Sequence, residues 1–158
     1  MSHPTLKTVQ VKILDNRIGP TWALPKYQTA GSAAMDLIAC LAETKVLNPN
    51  DCTLIPTGIA IFISNPNFCA QILPRSGLGH THGIILGNGT GLIDSDYQGA
   101  LMISCFNRGK QPYNINPGER IAQLVFIPVI QPTLTLVEEF NMSISDRRSG
   151  GFGSTGKN

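Results

Sequence analysis

Short apolar runs, separated by clusters of turn-forming residues, recur along most of the chain. Residues 8–13 read TVQVKI, in which Val9, Val11 and Ile13 alternate with polar residues, and this alternation predicts a half-buried strand. Further runs of strand length occupy residues 57–63, 68–73, 100–106, 122–130 and 133–140. Turn residues separate most of these runs, at residues 48–51, 64–67, 87–91, 107–109 and 116–118. The pattern predicts an all-β protein.

Helical periodicity is nearly absent from the sequence. Only residues 75–83, RSGLGHTHG, indicate a short turn of helix, because their glycines disfavour anything longer. Many short strands in a chain of 158 residues indicate two packed sheets or a barrel, and a β jelly roll suits this length. The pattern alone leaves the choice among these topologies open.

The last part of the chain differs in composition from the rest. Apolar periodicity stops at Ser143, and residues 149–156 contain four glycines. We therefore expect a folded domain over residues 1–142 and a flexible tail over residues 143–158. Residues 151–156 match G-x-G-x-x-G, but a dinucleotide site needs a strand before the motif and a helix after it. A P-loop needs Ser or Thr after Lys157, where Asn158 stands.

Composition and charge exclude several classes of function. Charged residues make up 14% of the chain, the net charge is +2, and the only adjacent basic pair is Arg147-Arg148, so we expect no nucleic-acid partner. No apolar stretch reaches the length of about 20 residues that a membrane helix needs, and no leader-like segment is present, so we expect a cytoplasmic protein without membrane association. The sparse surface charge suggests that other subunits cover part of the surface.

The cysteines and histidines give no metal-binding spacing. Cys40, Cys69 and Cys105 lie within apolar runs, and no Cys-x-x-Cys pair occurs, so reduced core cysteines are expected. His80 and His82 alternate as on a strand, but they lack a nearby third ligand, which favours a solvated loop over a zinc site.

Two loops carry candidate chemistry. In residues 74–79, PRSGLG, a guanidinium, a hydroxyl and exposed backbone N–H groups follow one another at Arg75, Ser76 and Gly77, a combination that suits phosphate oxygens. Residues 87–99, GNGTGLIDSDYQG, predict a tight hairpin followed by Asp94 and Asp96, which would share one face if they lay on a strand.

Five segments together resemble the trimeric deoxyuridine triphosphate nucleotidohydrolases, the dUTPase family. They are AGSAAMDLIA (30–39), PRSGLG (74–79), GNGTGLIDSDYQG (87–99), GERIAQLVF (118–126) and RRSGGFGSTG (147–156), in the family's order. The resemblance implies a β jelly roll assembled as a homotrimer, with active sites at the subunit interfaces that the mobile glycine-rich tail closes. It implies Mg²⁺-dependent hydrolysis of dUTP to dUMP and pyrophosphate, which keeps uracil out of DNA and supplies dUMP for thymidylate synthesis.

The resemblance also implies roles for single residues. Asp94 orients the attacking water and holds the 3′-hydroxyl, while Asp36 engages hydrated Mg²⁺ that the triphosphate mainly holds. The residues assigned to the base and sugar are Asn88, Gly91, Leu92, Ile93, Tyr97, Met102 and Phe152. Those assigned to the phosphates are Arg75, Ser76, Gly77 and Gln123, joined from the tail by Arg147, Gly153, Ser154 and Thr155.

Three residues depart from the family pattern: Ala34 stands where Gly is usual, Ile38 where Arg is common, and Arg148 where Gly is usual. Two alternatives remain. A dCTP deaminase, alone or combined with dUTPase activity, requires a catalytic glutamate where this chain has Asp94 and Asp96. The second alternative, a non-catalytic jelly-roll binding module, does not explain why these motifs occur together. The Mg²⁺ dependence of nucleotide binding would distinguish such a module from the enzyme.

Overall fold

The computed structural model describes residues 5–140, and its regular secondary structure consists of ten β-strands and one short helix. Its elements, in chain order, are β1 (Gln10–Ile13), β2 (Met35–Ile38), β3 (Lys45–Leu47), β4 (Cys52–Phe62), β5 (Phe68–Pro74), α1 (Ser76–Thr81), β6 (Ile84–Leu86), β7 (Gly91–Ile93), β8 (Ala100–Asn107), β9 (Tyr113–Ile115) and β10 (Arg120–Pro128). In the described part of the chain, no helix is both long and apolar enough to cross a membrane. The predicted all-β class is confirmed.

Two four-stranded antiparallel sheets form the body of the molecule. The first has the strand order β1-β4-β8-β6, the second has the order β2-β10-β5-β7, and β3 pairs with β9 in a separate ribbon. Both sheets contribute to a single apolar cluster, to which β4 and β8 give Ile55 and Ile103 while β2 and β10 give Leu37 and Leu124. This is the layered arrangement of a jelly roll.

Most of the longer predicted strands appear in the structure. The runs at residues 57–63, 68–73, 100–106 and 122–130 correspond to parts of β4, β5, β8 and β10, and the predicted turn of helix corresponds to α1. The strand predicted at residues 8–13 forms as β1, but its apolar face is not buried as predicted. All four residues of β1 are exposed, including Val11 and Ile13, and β1 lies at the edge of its sheet.

The predicted strand at residues 133–140 is wrong. Residues 129–140 contain no regular secondary structure, and the side chains of Leu134 and Leu136 are 92% and 99% exposed. Alternation gives a segment the potential to pair, but pairing needs a neighbouring strand edge. Within residues 5–140, no strand pairs with this segment, which we call the arm (residues 129–140). The tail predicted at residues 143–158 lies outside the described residues.

Candidate active site

Asp36, Arg75 and Gln123 meet where β2, β10 and the end of β5 lie side by side. The Arg75 Nε–H donates to Asp36 Oδ1 at 2.9 Å, and Gln123 Nε2 donates to the carbonyl oxygen of Pro74 at 3.0 Å. Gln123 also lies directly opposite Asp36 in the β10–β2 register. The structure therefore brings together three residues that the motifs assign to the phosphates and the metal. We call this group, with Ser76 and Gly77, the phosphate cluster.

Arg120 is a member of this cluster that the sequence analysis missed. Its Nη1 donates to Asp36 Oδ2 at 3.0 Å, and its backbone carbonyl oxygen accepts a hydrogen bond from Arg75 Nη1 at 3.0 Å. The Asp36 carboxylate is thus shared by two guanidinium groups. In the GERIAQ run Arg120 precedes Gln123 by three residues, a spacing that puts two side chains on opposite faces of a regular strand, so the sequence contains no signal that they lie together.

The turn before β10 fixes the start of that strand. Gly118 has a φ of +77°, a conformation that favours glycine, and its N–H donates to the Ala39 carbonyl oxygen at 2.8 Å. The Glu119 carboxylate accepts hydrogen bonds from the Asn116 N–H and from the Tyr113 hydroxyl. Burial, followed by this bond to Glu119, raises the pKa of Tyr113 above its usual range, so the hydroxyl stays protonated as a donor.

Ser76 and Gly77 begin α1, immediately after Arg75. Both are exposed, and a Cβ added to Gly77 would meet nothing within 4 Å. The backbone at Gly77 is therefore open to a ligand, as the sequence predicts. His80 and His82 lie at the other end of this helix, where the His82 ring packs against Tyr113 with a centroid separation of 5.1 Å.

A second group of predicted residues surrounds a small cavity beyond β7. This cavity, which we call the Asp94 cavity, has a volume of about 280 Å³ and is lined by Leu92, Ile93, Asp94, Tyr97, Ala100 and Met102. The Tyr97 hydroxyl donates to the Ala100 carbonyl oxygen at 3.1 Å, which fixes the position of the ring beside the cavity. The structure thus places the predicted catalytic aspartate and the predicted sugar-stacking tyrosine at one opening.

The segment that leads into this cavity spans residues 87–93. The predicted hairpin does not form, because β6 pairs with β8 in the first sheet whereas β7 pairs with β5 in the second. Gly89 has a φ of +73°, and its N–H donates to the Leu86 carbonyl oxygen at 3.1 Å, which closes the turn that exposes Asn88. A Cβ on Gly91 would lie 3.1 Å from the Cβ of Ile72 in β5, so β7 approaches β5 closely. Asp94 and Asp96 follow β7 in a turn, and the shared strand face considered for them does not form.

The two groups lie at opposite ends of β5. In the antiparallel β5–β7 pair, Ile93 is opposite Ala70, so Asp94 comes next to Cys69, whereas Arg75 follows the other end of the strand. Burial raises the pKa of the Cys69 thiol, and the negative charge of Asp94 raises it further, which agrees with this proximity. Arg75 follows Cys69 by six residues of extended chain, a distance of about 20 Å. One copy of the chain therefore does not bring Asp94 to the phosphate cluster.

Two of the three departures from the family pattern are visible. Ala34 lies in the bend just before β2, and Ile38 lies in β2, partly buried against the core. Ile38 also lines a cavity of about 280 Å³ together with Trp22, Asp36 and Arg120, so it gives an apolar wall beside the phosphate cluster. The third departure, Arg148, lies outside the described residues, as do the tail residues Arg147, Phe152, Gly153, Ser154 and Thr155.

Magnesium would have to share the oxygens of Asp36 with the two arginines. Mg²⁺ binds through few carboxylates, through waters and through substrate phosphates. Both Asp36 oxygens already accept a guanidinium N–H, and the side chain keeps 18% of its surface exposed. This arrangement fits a carboxylate that reaches the metal through a water molecule, as the sequence analysis expects.

Comparisons with known proteins agree on one family. A family model described as dUTPase matches residues 20–156. The deoxyuridine 5′-triphosphate nucleotidohydrolase of Coxiella burnetii is 58% identical over 151 residues, which cover 96% of this chain and 98% of that protein. The dUTPase of Staphylococcus bacteriophage 80alpha with dUPNHPP has a TM-score of 0.82 and 30% identity, covering 95% of this chain and 99% of that one.

A further solved structure concerns the metal. A mutant dUTPase from phage phi11 of S. aureus, described for the coordination of a structural Mg(II) ion, has a TM-score of 0.75 and 27% identity, covering 85% of this chain and 99% of that one.

Proposed function

The chain belongs to the dUTPase family and hydrolyses dUTP to dUMP and pyrophosphate with Mg²⁺, and we propose that it does so as a homotrimer whose active sites lie between subunits. The observation that carries the proposal is the separation of about 20 Å between Asp94 and the phosphate cluster of the same copy. A general base must lie within hydrogen-bond reach of the proton it takes. Asp94 of one subunit therefore acts on a triphosphate that the phosphate cluster of a neighbour holds.

Exposed apolar side chains support an assembly. In the arm, Ile130, Leu134 and Phe140 are almost fully exposed, and on the strands Leu54 and Leu92 are more than half exposed. Large apolar side chains exposed to this extent are typical of protein interfaces when they occur together. Subunits that cover these side chains also explain why so few charged residues occur in the sequence.

The Asp94 cavity receives the deoxyuridine. The backbone of the turn at Asn88 and of β7 (residues 91–93) offers fixed donors and acceptors, so cytosine would leave buried polar groups unpaired. In this proposal the Tyr97 ring packs against the deoxyribose and excludes a 2′-hydroxyl by shape, and the cavity wall that includes Met102 discriminates against the methyl group of thymine. Asp94 holds the 3′-hydroxyl and orients a water molecule toward phosphorus.

The phosphate cluster binds and orients the triphosphate. Arg75 and Gln123 offer side-chain donors, and Ser76 and Gly77 offer a hydroxyl and a backbone N–H. Asp36 is the residue that would hold Mg²⁺ through a water molecule, and the ion would supply positive charge to the phosphate oxygens. The water attacks the α-phosphorus while Asp94 takes its proton. The bond from the α-phosphorus to the oxygen that bridges to the β-phosphate breaks, so that dUMP forms and pyrophosphate leaves.

The tail completes the site in this proposal. Arg147, Ser154 and Thr155 clamp the γ-phosphate, Gly153 allows close backbone approach, and Phe152 covers the uracil. Ordering such a segment costs about 1–2 kcal/mol per residue in backbone entropy, so contacts with the triphosphate must offset that cost. The tail then acts as a lid that excludes water. The proposed compartment is the cytoplasm, which the four reduced cysteines support.

Complementation between two inactive variants tests the shared site. Asp94→Asn and Arg75→Met, carrying different tags, are co-expressed, and mixed trimers are purified through both tags. If each site takes Asp94 from one subunit and Arg75 from another, about one third of the sites in the mixed trimers are restored, because only one of the three subunit pairs in a mixed trimer combines the two intact residues in the required order. Each variant alone should be inactive. Mixed trimers that also remain inactive would contradict the proposal.

A further inference from the structure

A β-bulge in β10 decides which face of the sheet receives the Arg120 side chain. Gln123 is opposite Asp36, Ala122 is opposite Leu37, and Arg120 is opposite Ile38, so one extra residue, Ile121, is inserted in β10. Asp36 and Ile38 share a face because they are two residues apart. Residues directly opposite in an antiparallel pair also share a face. Arg120 and Gln123 therefore point to the same side of the sheet, which a regular strand would not allow at a spacing of three.

The bulge places Arg120 where it completes a chain of three charged groups. Arg120 Nη1 donates to Asp36 Oδ2 at 3.0 Å, and Arg75 Nε donates to Asp36 Oδ1 at 2.9 Å. Arg75 Nη1 also donates to the backbone carbonyl oxygen of Arg120 at 3.0 Å. The side chain of Asp36 is only 18% exposed, against 31% for Arg75 and 54% for Arg120. The least exposed member is thus the carboxylate that joins the two cations.

We infer that Arg120 is a positioning residue for dUTP hydrolysis, acting through Asp36 to hold the Arg75 guanidinium ready for the triphosphate. This inference rests on the proposed role of Arg75 as a phosphate ligand. A guanidinium has five N–H donors, and the two contacts to Asp36 and Arg120 use two of them. The remaining donors are held in a fixed orientation, which suits bidentate recognition of phosphate.

Charge gives the second reason for a residue at position 120. Arg75 and Asp36 alone form a neutral pair, in which the carboxylate competes with phosphate for the same guanidinium. With Arg120 the three groups carry a formal charge of +1, and the second Asp36 oxygen is occupied by a different cation. With Arg120 present, the cluster therefore attracts a polyanion while Asp36 keeps its hydrogen bond to Arg75.

The two arginines should differ in what can replace them. Arg120 offers a single nitrogen, Nη1, to Asp36, and an ammonium group reproduces a single donor. Arg75 uses Nε and Nη1 toward two different acceptors, and lysine lacks that fork. Arg120→Lys should therefore retain most of the activity, whereas Arg75→Lys should not.

Steady-state kinetics of the full-length enzyme test the inference. Arg120→Met keeps the length of the side chain and removes its charge, and it should lower kcat/KM for dUTP roughly ten- to a hundredfold, since misplaced binding groups cost rate on this scale. Arg120→Lys should restore kcat/KM to within about threefold of the wild type. The inhibition constant of deoxyuridine, which lacks phosphates, should stay unchanged, whereas a general disturbance of the fold would raise it.

A double-mutant cycle decides whether Arg120 acts through Asp36. In an Asp36→Asn background, Arg120→Met should change kcat/KM by less than about twofold, because the acceptor of its charge is already gone. An undiminished effect in that background, or no effect of Arg120→Met in the wild type, would overturn the inference. Arg75→Met separates this outcome from the proposed function. If it leaves kcat/KM unchanged, the phosphate role of Arg75 is wrong.

Discussion

Asp94 is exposed at the mouth of a cavity that it shares with Tyr97, on the turn that follows β7. An exposed carboxylate at this place can orient a water molecule and accept its proton, and an amide of the same shape can do only the first. We expect Asp94→Asn to fold and bind dUTP but to lose about 10²-fold or more in kcat.

The measurement is pyrophosphate release from dUTP, with binding of a non-hydrolysable dUTP analogue as the test of an intact site. Asp96→Asn is the matched control, because Asp96 lies two residues away on the same turn and does not line the Asp94 cavity. Turnover of Asp94→Asn within tenfold of the wild type would remove Asp94 from the mechanism.

Single residues were predictable where a motif names them and not where a backbone irregularity sets their direction. Arg75, Gln123 and Asp36 follow from the motifs, and the structure brings them together. Arg120 joins them only because of the extra residue in β10, and the strand pattern contains no sign of that bulge. The contact between Gln123 and the Pro74 carbonyl oxygen depends equally on the pairing of β10 with β5, which is not a local property of the sequence.

At the scale of elements, length decided what the sequence could predict. Apolar runs of strand length are readable in β4, β8 and β10, which have eight to eleven residues. The strands β3, β6, β7 and β9 have three residues each, which is too short for a period to emerge. The choice between a barrel and two sheets depends on pairings such as β1 with β4, which join distant parts of the chain.

The contact between β7 and β5 offers a test of how this element positions Asp94. A Cβ at Gly91 would stand 3.1 Å from the Cβ of Ile72, a branched side chain that is fully buried and has little room to move. Gly91→Val should therefore push β7 away from β5 and cost about 1–3 kcal/mol of unfolding free energy. Because Asp94 directly follows this strand, kcat should also fall, by roughly tenfold.

Urea unfolding and kcat, measured on the same preparation, check both effects of Gly91→Val. Gly31→Val is the control, since a Cβ at Gly31 meets nothing within 4 Å and its φ is not in the left-handed region. If Gly91→Val matches the wild type in both quantities, the close approach of the two strands does not position Asp94.

At the scale of the whole molecule, the arm and the tail should have separate roles. The Leu134 and Leu136 side chains are almost fully exposed in one copy, so replacing both with serine removes no contact within that copy. If these side chains are covered by a neighbouring subunit, Leu134→Ser with Leu136→Ser should weaken the trimer, which light scattering across a dilution series would detect. Thr135→Ser, a conservative change within the same exposed segment, should leave the trimer as it is.

Truncation after Asp146 should have the opposite result, because it leaves the arm in place and removes the residues proposed to clamp the γ-phosphate. We expect a trimer of normal mass whose pyrophosphate release falls by about 10²-fold or more, since the lid that excludes water is gone. Together the two changes separate assembly from closure. Loss of the trimer on truncation would move the assembly role into the tail, and undiminished kcat would refute the lid.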